Sequence, residues 1–145
     1  MMRLLARNSK SATGWYYGLK LHLLCDKQGN LVRIKFTTTV DERLLLVEFM
    51  KSMTESIFVG DAGYVSGELE ILANKNNNIL LTAKRKNMKT LAIVWQNKCM
   101  NMRSRVETVF GVLKERYGLV TSLPRSISGY LAHYIRTIFA YMILN

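Results

Sequence analysis

The stretch from Ile57 to Ala83 constrains the fold of this 145-residue chain more than any other. Ile57-Phe58-Val59-Gly60 is a short apolar run of strand type, Asp61-Ala62-Gly63-Tyr64 carries turn chemistry, and Glu68, Leu69, Ile71 and Leu72 give Ser66–Asn74 the pattern of an amphipathic helix. Asn76-Asn77-Asn78 breaks that helix, and Ile79–Ala83 reads as another buried strand. The pattern is that of an α/β chain. It places Asp61 at the carboxyl end of a strand in a β-loop-α unit, where open α/β sheets hold their ligands.

The flanking segments extend the pattern. Trp15, Tyr17, Leu19, Leu21, Leu23 and Cys25 alternate against Lys20, His22 and Asp26, which predicts one strand with a buried face. Asp26-Lys27-Gln28-Gly29-Asn30 supplies a turn, and Leu31–Thr39 alternates again, so the two form a hairpin. Thr39 and Glu42 have capping-box spacing ahead of Leu44, Leu45, Val47, Phe49 and Met50, predicting a helix that starts near Asp41 and ends before Ser56. Two more helices are expected over Met100–Tyr117 and Ser126–Leu144. With 49% apolar residues, no repeat and no low-complexity linker, the chain can bury a core and reads as one compact domain.

Charge is distributed unevenly. The net charge is +11; residues 1–70 carry nine Lys/Arg against eight Asp/Glu, whereas residues 71–145 carry twelve against two. A basic half of this kind predicts a polyanionic partner, most simply nucleic acid. Lys84-Arg85-Lys86-Asn87-Met88-Lys89 is a basic loop placed to touch a phosphate backbone. Cys25 and Cys99 do not have metal-motif spacing, and two thiols fit a reducing cytoplasm. The apolar run Leu131–Leu144 is interrupted by His133 and Arg136 and is too short to span a bilayer comfortably. Residues 1–13, with Arg3, Arg7 and Lys10 and no acid, are expected to be a poorly ordered basic segment, the start of a chain whose upstream part is missing. Eight methionines and several exposed-looking apolar residues fit an unfilled interface, as in a homo-oligomer, and equally fit a truncated chain.

Glu107 and Glu115 are the only acids in the basic half. On a helical wheel of about 100° per residue, Val106, Val109, Phe110, Leu113 and Tyr117 form one stripe, and Arg103, Glu107 and Lys114 cluster beside it. Glu107 then sits at the margin of the buried surface, flanked by cations suited to phosphate oxygens. Taken singly, Asp61 is ordinary turn chemistry and Glu107 an ordinary partner for Arg103. Taken together, two carboxylates on a basic α/β frame suit a metal site acting on phosphate.

In order along the chain, Gly14-Trp15-Tyr16-Tyr17-Gly18-Leu19-Lys20-Leu21-His22, Asp41-Glu42-Arg43, Gly60-Asp61-Ala62-Gly63-Tyr64, Thr82–Lys89 and Arg103-Ser104-Arg105-Val106-Glu107 resemble the DDE transposases of bacterial insertion sequences, over about residues 14–144. The family's signature around its glutamate is Tyr, two residues, Arg, three residues, Glu, six residues, Lys; Arg103, Glu107 and Lys114 fit it, and Met100 stands in place of the Tyr. The resemblance implies a mixed-sheet RNase H-like fold over 14–145, with carboxylates holding two Mg²⁺ or Mn²⁺ ions. Water attacks a phosphodiester at the transposon end, and the freed 3′-hydroxyl then attacks target DNA. It makes Asp61 and Glu107 catalytic metal ligands, and it has Arg103 and Lys114 hold DNA phosphates near the metals, beside the loop cations Lys84, Arg85 and Lys86 already read as a phosphate contact.

The first catalytic Asp of the family lies on a central strand ahead of the hairpin, and residues 1–13 contain neither Asp nor Glu. The chain is therefore expected to be amino-terminally truncated and inactive alone, with the third carboxylate supplied by a missing upstream portion, by another chain, or by Asp41 as a substitute. Two other readings are a noncatalytic DNA-binding remnant and an RNase H-like metal-dependent nuclease.

Overall fold

In the computed structural model the described residues are 7–11, 14–37, 41–83, 94–119 and 126–145. They fall into two compact units, Met1–Thr39 with Arg105–Asn145, and Val40–Ser104. Among them are three two-stranded ladders, two antiparallel and one parallel.

In the first unit, β1 (Arg7–Ser11) pairs antiparallel with β2 (Gly14–Gly18), and β3 (Lys20–Cys25) pairs antiparallel with β4 (Leu31–Thr37). The single strand expected from Trp15 to Cys25 is thus two strands with different partners. The change falls just after Gly18, a residue type that weakens strands and marks bends. The predicted turn between β3 and β4 is present: Asp26 Oδ1 accepts from the backbone N–H groups of Gln28, Gly29 and Asn30 at 2.8, 2.9 and 2.9 Å, and Oδ2 accepts from Asn30 Nδ2 at 2.8 Å. Gly29, at φ 99°, supplies the left-handed residue that this turn needs.

The hairpin face carrying Leu21, Leu23 and Cys25 packs as expected against a cluster of Val109, Leu113, Leu119 and Tyr141. Val109 and Leu113 lie on α4 (Ser104–Glu115) and Tyr141 on α5 (Ile127–Leu144). Gly118, at φ 65°, turns the chain back after α4 so that the Leu119 N–H reaches the Leu113 carbonyl at 2.9 Å and Leu119 is buried. The Tyr141 hydroxyl donates to the Gly29 carbonyl at 2.9 Å, tying the hairpin turn to the last helix. His133 lies 3.0 Å from the Gly118 carbonyl and Thr137 donates to Tyr117 O, so the polar residues inside α5 satisfy the turn after α4.

The second unit is the α/β core. Asp41 caps α1 (Glu42–Lys51), accepting from Arg43 N, and Thr39, expected as the cap, lies outside the described residues. Strands β5 (Ile57–Gly60) and β6 (Ile79–Thr82) run parallel in the register Ile57↔Ile79 to Gly60↔Thr82, with α2 (Gly67–Lys75) on the connection between them. Leu45, Phe49, Met50, Phe58, Leu69, Ala73 and Leu80 are buried. Helix α2 ends in a Schellman motif: Asn77 is left-handed at φ 53°, its N–H bonds Asn74 O, and the Asn78 N–H bonds Ala73 O at 2.9 Å. This explains why three asparagines end the helix.

The helix expected over Met100–Tyr117 is instead α3 (Val94–Asn101), a turn at Met102 and Arg103, and then α4. Tight i to i−3 bonds, Met102 N to Cys99 O and Arg103 N to Met100 O, close α3, and Ser104 Oγ bonds Asn101 O. Asn101 and Ser104 are the kinds of residue whose side chains compete with helical hydrogen bonds. Arg103 is therefore in the turn and not on the helix of Glu107, and the wheel that grouped them applies only to Glu107 and Lys114.

The buried Asn78, 1% exposed, is the polar centre of this unit. Its Nδ2 donates to Met50 O and Met53 O at 2.9 and 2.8 Å, and its Oδ1 accepts from Ser56 N at 3.0 Å. Three backbone groups lose their partner in Asn78→Ala, so the expected cost is about 2–4 kcal/mol at about 0.5–1.5 kcal/mol per bond, read as a lower urea midpoint with an unchanged slope. A second expectation concerns pH. The Asn30 side chain, and after it the backbone N–H groups of Asn30, Gln28 and Gly29, hold the solvent-exposed Asp26 carboxyl below its ordinary 3.8. A depressed folded pKa gives stability that is present above the unfolded value and is lost as pH falls through the folded one. Amide signals of Gln28 to Asn30 should therefore move in acid, below pH 3.8, and this step should vanish in Asp26→Asn.

Candidate catalytic carboxylates

Asp61 follows the last residue of β5 and caps a short 3₁₀ turn, Ala62–Tyr64. Its Oδ1 accepts from Gly63 N at 2.8 Å, and its carbonyl accepts from Tyr64 N at 3.2 Å. The turn fixes a carboxylate that stays exposed, with one oxygen engaged in local structure. Both glycines of Gly60-Asp61-Ala62-Gly63-Tyr64 have steric reasons. A Cβ on Gly63 would lie 2.9 Å from Asp61 Oδ1, and one on Gly60 would lie 3.0 Å from Tyr64 Cδ2. The motif is a compact unit in which the carboxylate and the aromatic ring each occupy the space a glycine leaves.

The first turn of α1 grips this unit. Arg43 Nε and Nη2 both donate to Gly63 O, at 3.2 and 3.0 Å, and Tyr64 OH donates to Glu42 Oε2 at 3.3 Å. Burial, followed by the nearby carboxylates of Glu42 and Asp61, pushes the Tyr64 phenol up to about 12, so at neutral pH it remains a donor. Glu42, Arg43 and Tyr64 stand inside the sequence motifs, which assign them no role. The signal available was their adjacency to Asp41 and Asp61; what they touch across the fold was not in the sequence.

Glu107 lies in the first turn of α4 and Lys114 in its last turn, both exposed, and Arg103 is exposed in the turn before that helix. Asp61 belongs to one compact unit and Glu107 to the other. Asp41, the candidate substitute ligand, has Oδ1 occupied in capping α1. Lys84, Arg85 and Lys86 lie outside the described residues. All ten Asp and Glu residues, both histidines and both cysteines are described, and among the described residues no three of these side chains are grouped to hold a metal ion.

A family model for the transposase DDE domain matches residues 1–127. The chain belongs to the transposase DDE domain family. The match begins ahead of Gly14, where the quoted motifs start, and includes both Asp61 and Glu107. This family acts in DNA transposition, its partner is DNA, and its members generally use divalent metal ions. No curated protein and no solved structure matches the chain. Among the described residues, no helix is long and apolar enough to cross a membrane. The α/β character expected from the sequence holds for this transposase domain.

The site geometry makes a sharp contrast between two glycines. Gly67 has nothing within 4 Å of an added Cβ, so Gly67→Ala should leave the melting temperature unchanged or raise it, by up to about 1 kcal/mol in stability. Gly63→Ala must push the Asp61 carboxylate off the Gly63 N–H, at a cost of about 1 kcal/mol for the lost cap. Amide spectra of the two variants should show displaced Asp61 to Tyr64 signals in the second alone.

Proposed function

We propose that this chain is the catalytic part of an insertion-sequence transposase with an RNase H-like frame, and that Asp61 and Glu107 are two of the carboxylates that hold its Mg²⁺ or Mn²⁺ ions. The observation that carries the reading is the placement of Asp61: an exposed carboxylate held by its own turn at the carboxyl end of a parallel strand, within a domain that matches the DDE family. Both side chains are hard oxygen donors of the type these ions take. The bound ions supply positive charge at the attacking and leaving oxygens of a phosphodiester. Asp61 and Glu107 would hold them, and Arg103, Lys114 and the Lys84, Arg85 and Lys86 loop would hold DNA phosphates. Cleavage adds water across the bond to leave a 3′-hydroxyl at the transposon end, and that hydroxyl displaces a 3′-oxygen of the target in strand transfer.

The third carboxylate is proposed to come from an upstream transposase portion, from another chain, or from Asp41 as a substitute, because no three ligands are grouped among the described residues. That same observation favours a second reading, a noncatalytic DNA-binding module.

Mn²⁺-dependent nicking and strand transfer on insertion-sequence ends separate the two readings, with Asp61→Asn and Glu107→Gln alongside and with a segment bearing the first Asp supplied in trans. Activity that appears on supplementation and is lost in both variants supports the catalytic reading. Should supplementation never restore cleavage, while Asp61→Asn keeps or raises DNA affinity and neutralising Lys84, Arg85 and Lys86 weakens it and flattens its salt dependence, the DNA-binding reading holds.

A further inference from the structure

Arg43 is exposed and lies twenty residues from Gly63 in the sequence, yet two of its guanidinium nitrogens converge on the Gly63 carbonyl, at 3.2 and 3.0 Å. On the other side of the same residue, the Gly63 N–H donates to Asp61 Oδ1 at 2.8 Å. Gly63 therefore passes a constraint from one side chain to the other: the guanidinium fixes the residue's carbonyl, and its amide fixes the carboxylate. The arrangement is anchored at its origin, because Arg43 N is bonded to the Asp41 carboxylate that caps α1, which sets the first turn of the helix from which Arg43 extends. Its neighbour Glu42 holds the next residue, Tyr64, through the phenol. Two consecutive helix residues thus grip the two consecutive residues that shape the Asp61 turn.

We infer that Arg43 is a positioning residue for Asp61, acting through the Gly63 carbonyl to set the carboxylate for a divalent ion. The inference rests on the reading of Asp61 as a metal ligand. Partners that orient a metal ligand without touching the ion generally change affinity about 10- to 100-fold when removed. The charge of Arg43 acts in the opposite direction. A guanidinium near a cation site repels the ion, so removing it tightens binding if charge alone matters. The sign of the change therefore separates positioning from electrostatics.

The test uses the ¹⁵N-labelled 145-residue chain and two readouts: the solvent-exchange rate of the Gly63 amide without metal, and broadening of the Ala62 and Gly63 signals by Mn²⁺ once a segment bearing the first Asp has been supplied in trans. In Arg43→Gln the Gly63 amide should exchange about tenfold faster, and about tenfold more Mn²⁺ should be needed for half-broadening. The amides of β5 and β6 should keep their shifts. Arg43→Lys, which keeps the charge but not the paired donors, should fall between; it also decides the matter if Arg43→Gln does not fold. Unchanged Gly63 exchange, or equal or tighter Mn²⁺ binding in Arg43→Gln, overturns the inference. Asp61→Asn tests the underlying reading separately. Mn²⁺ broadening that survives in it, or that is absent from the wild-type chain supplied with that segment, overturns Asp61 as a ligand and with it the positioning role toward an ion, even where faster Gly63 exchange shows that the grip is real.

Discussion

The parallel pairing of β5 with β6 is the constraint from which the second unit follows. Parallel neighbours cannot be joined by a tight turn, so the chain must leave the end of β5, cross over and return to the start of β6. The crossover begins with Asp61 and the 3₁₀ turn and continues through α2. Four register pairs are a short ladder, and its starting edge is held by a side chain as well as by strand hydrogen bonds. Asn78 joins the end of α1, the residue before β5 and the residue before β6 through Met50 O, Met53 O and Ser56 N. A buried amide with three of its four hydrogen-bonding positions filled contributes specificity here, because no apolar residue could satisfy those backbone groups.

At the opposite end of the ladder the same economy appears around Asp61. Its carboxylate stabilises the turn that displays it, and the glycines on either side leave room for the carboxylate and for the Tyr64 ring. Contacts from Glu42 and Arg43 then fasten the turn to α1. A residue proposed to hold an ion needs a fixed direction more than it needs burial, and these contacts supply direction while leaving the carboxylate exposed.

Much of this was legible in the sequence. Period-two alternation marked the β3–β4 face that packs on Val109 and Leu113, and Asp26 with Gly29 marked the turn, because each depends on neighbours close in the chain. The Asp41 region, Ser66 and the asparagine run marked helix ends for the same reason. Where the reading departed, partner choice had intervened. The alternation from Trp15 to Cys25 runs straight through a change of partner at Leu19, since a side-chain pattern records which face is buried and not which strand lies alongside. Helical periodicity likewise runs from α3 into α4 across the turn at Met102 and Arg103, where i to i−3 bonds close α3.

By itself the sequence determined that this protein is α/β and that its carboxyl-terminal half is basic, because composition and periodicity are properties of the chain read in order, and Asp61 and Glu107 both lie within the stretch that matches a transposase DDE domain. Only the tertiary structure decided that Asn78 is a buried hub, that Arg43 and Glu42 reach across to Gly63 and Tyr64, and that Arg103 leaves the helix of Glu107. The first two of those facts depend on side chains meeting residues about twenty or more positions away, and such meetings are fixed by packing and hydrogen-bond satisfaction, for which no local pattern exists; the third rests on the i to i−3 bonds that close α3.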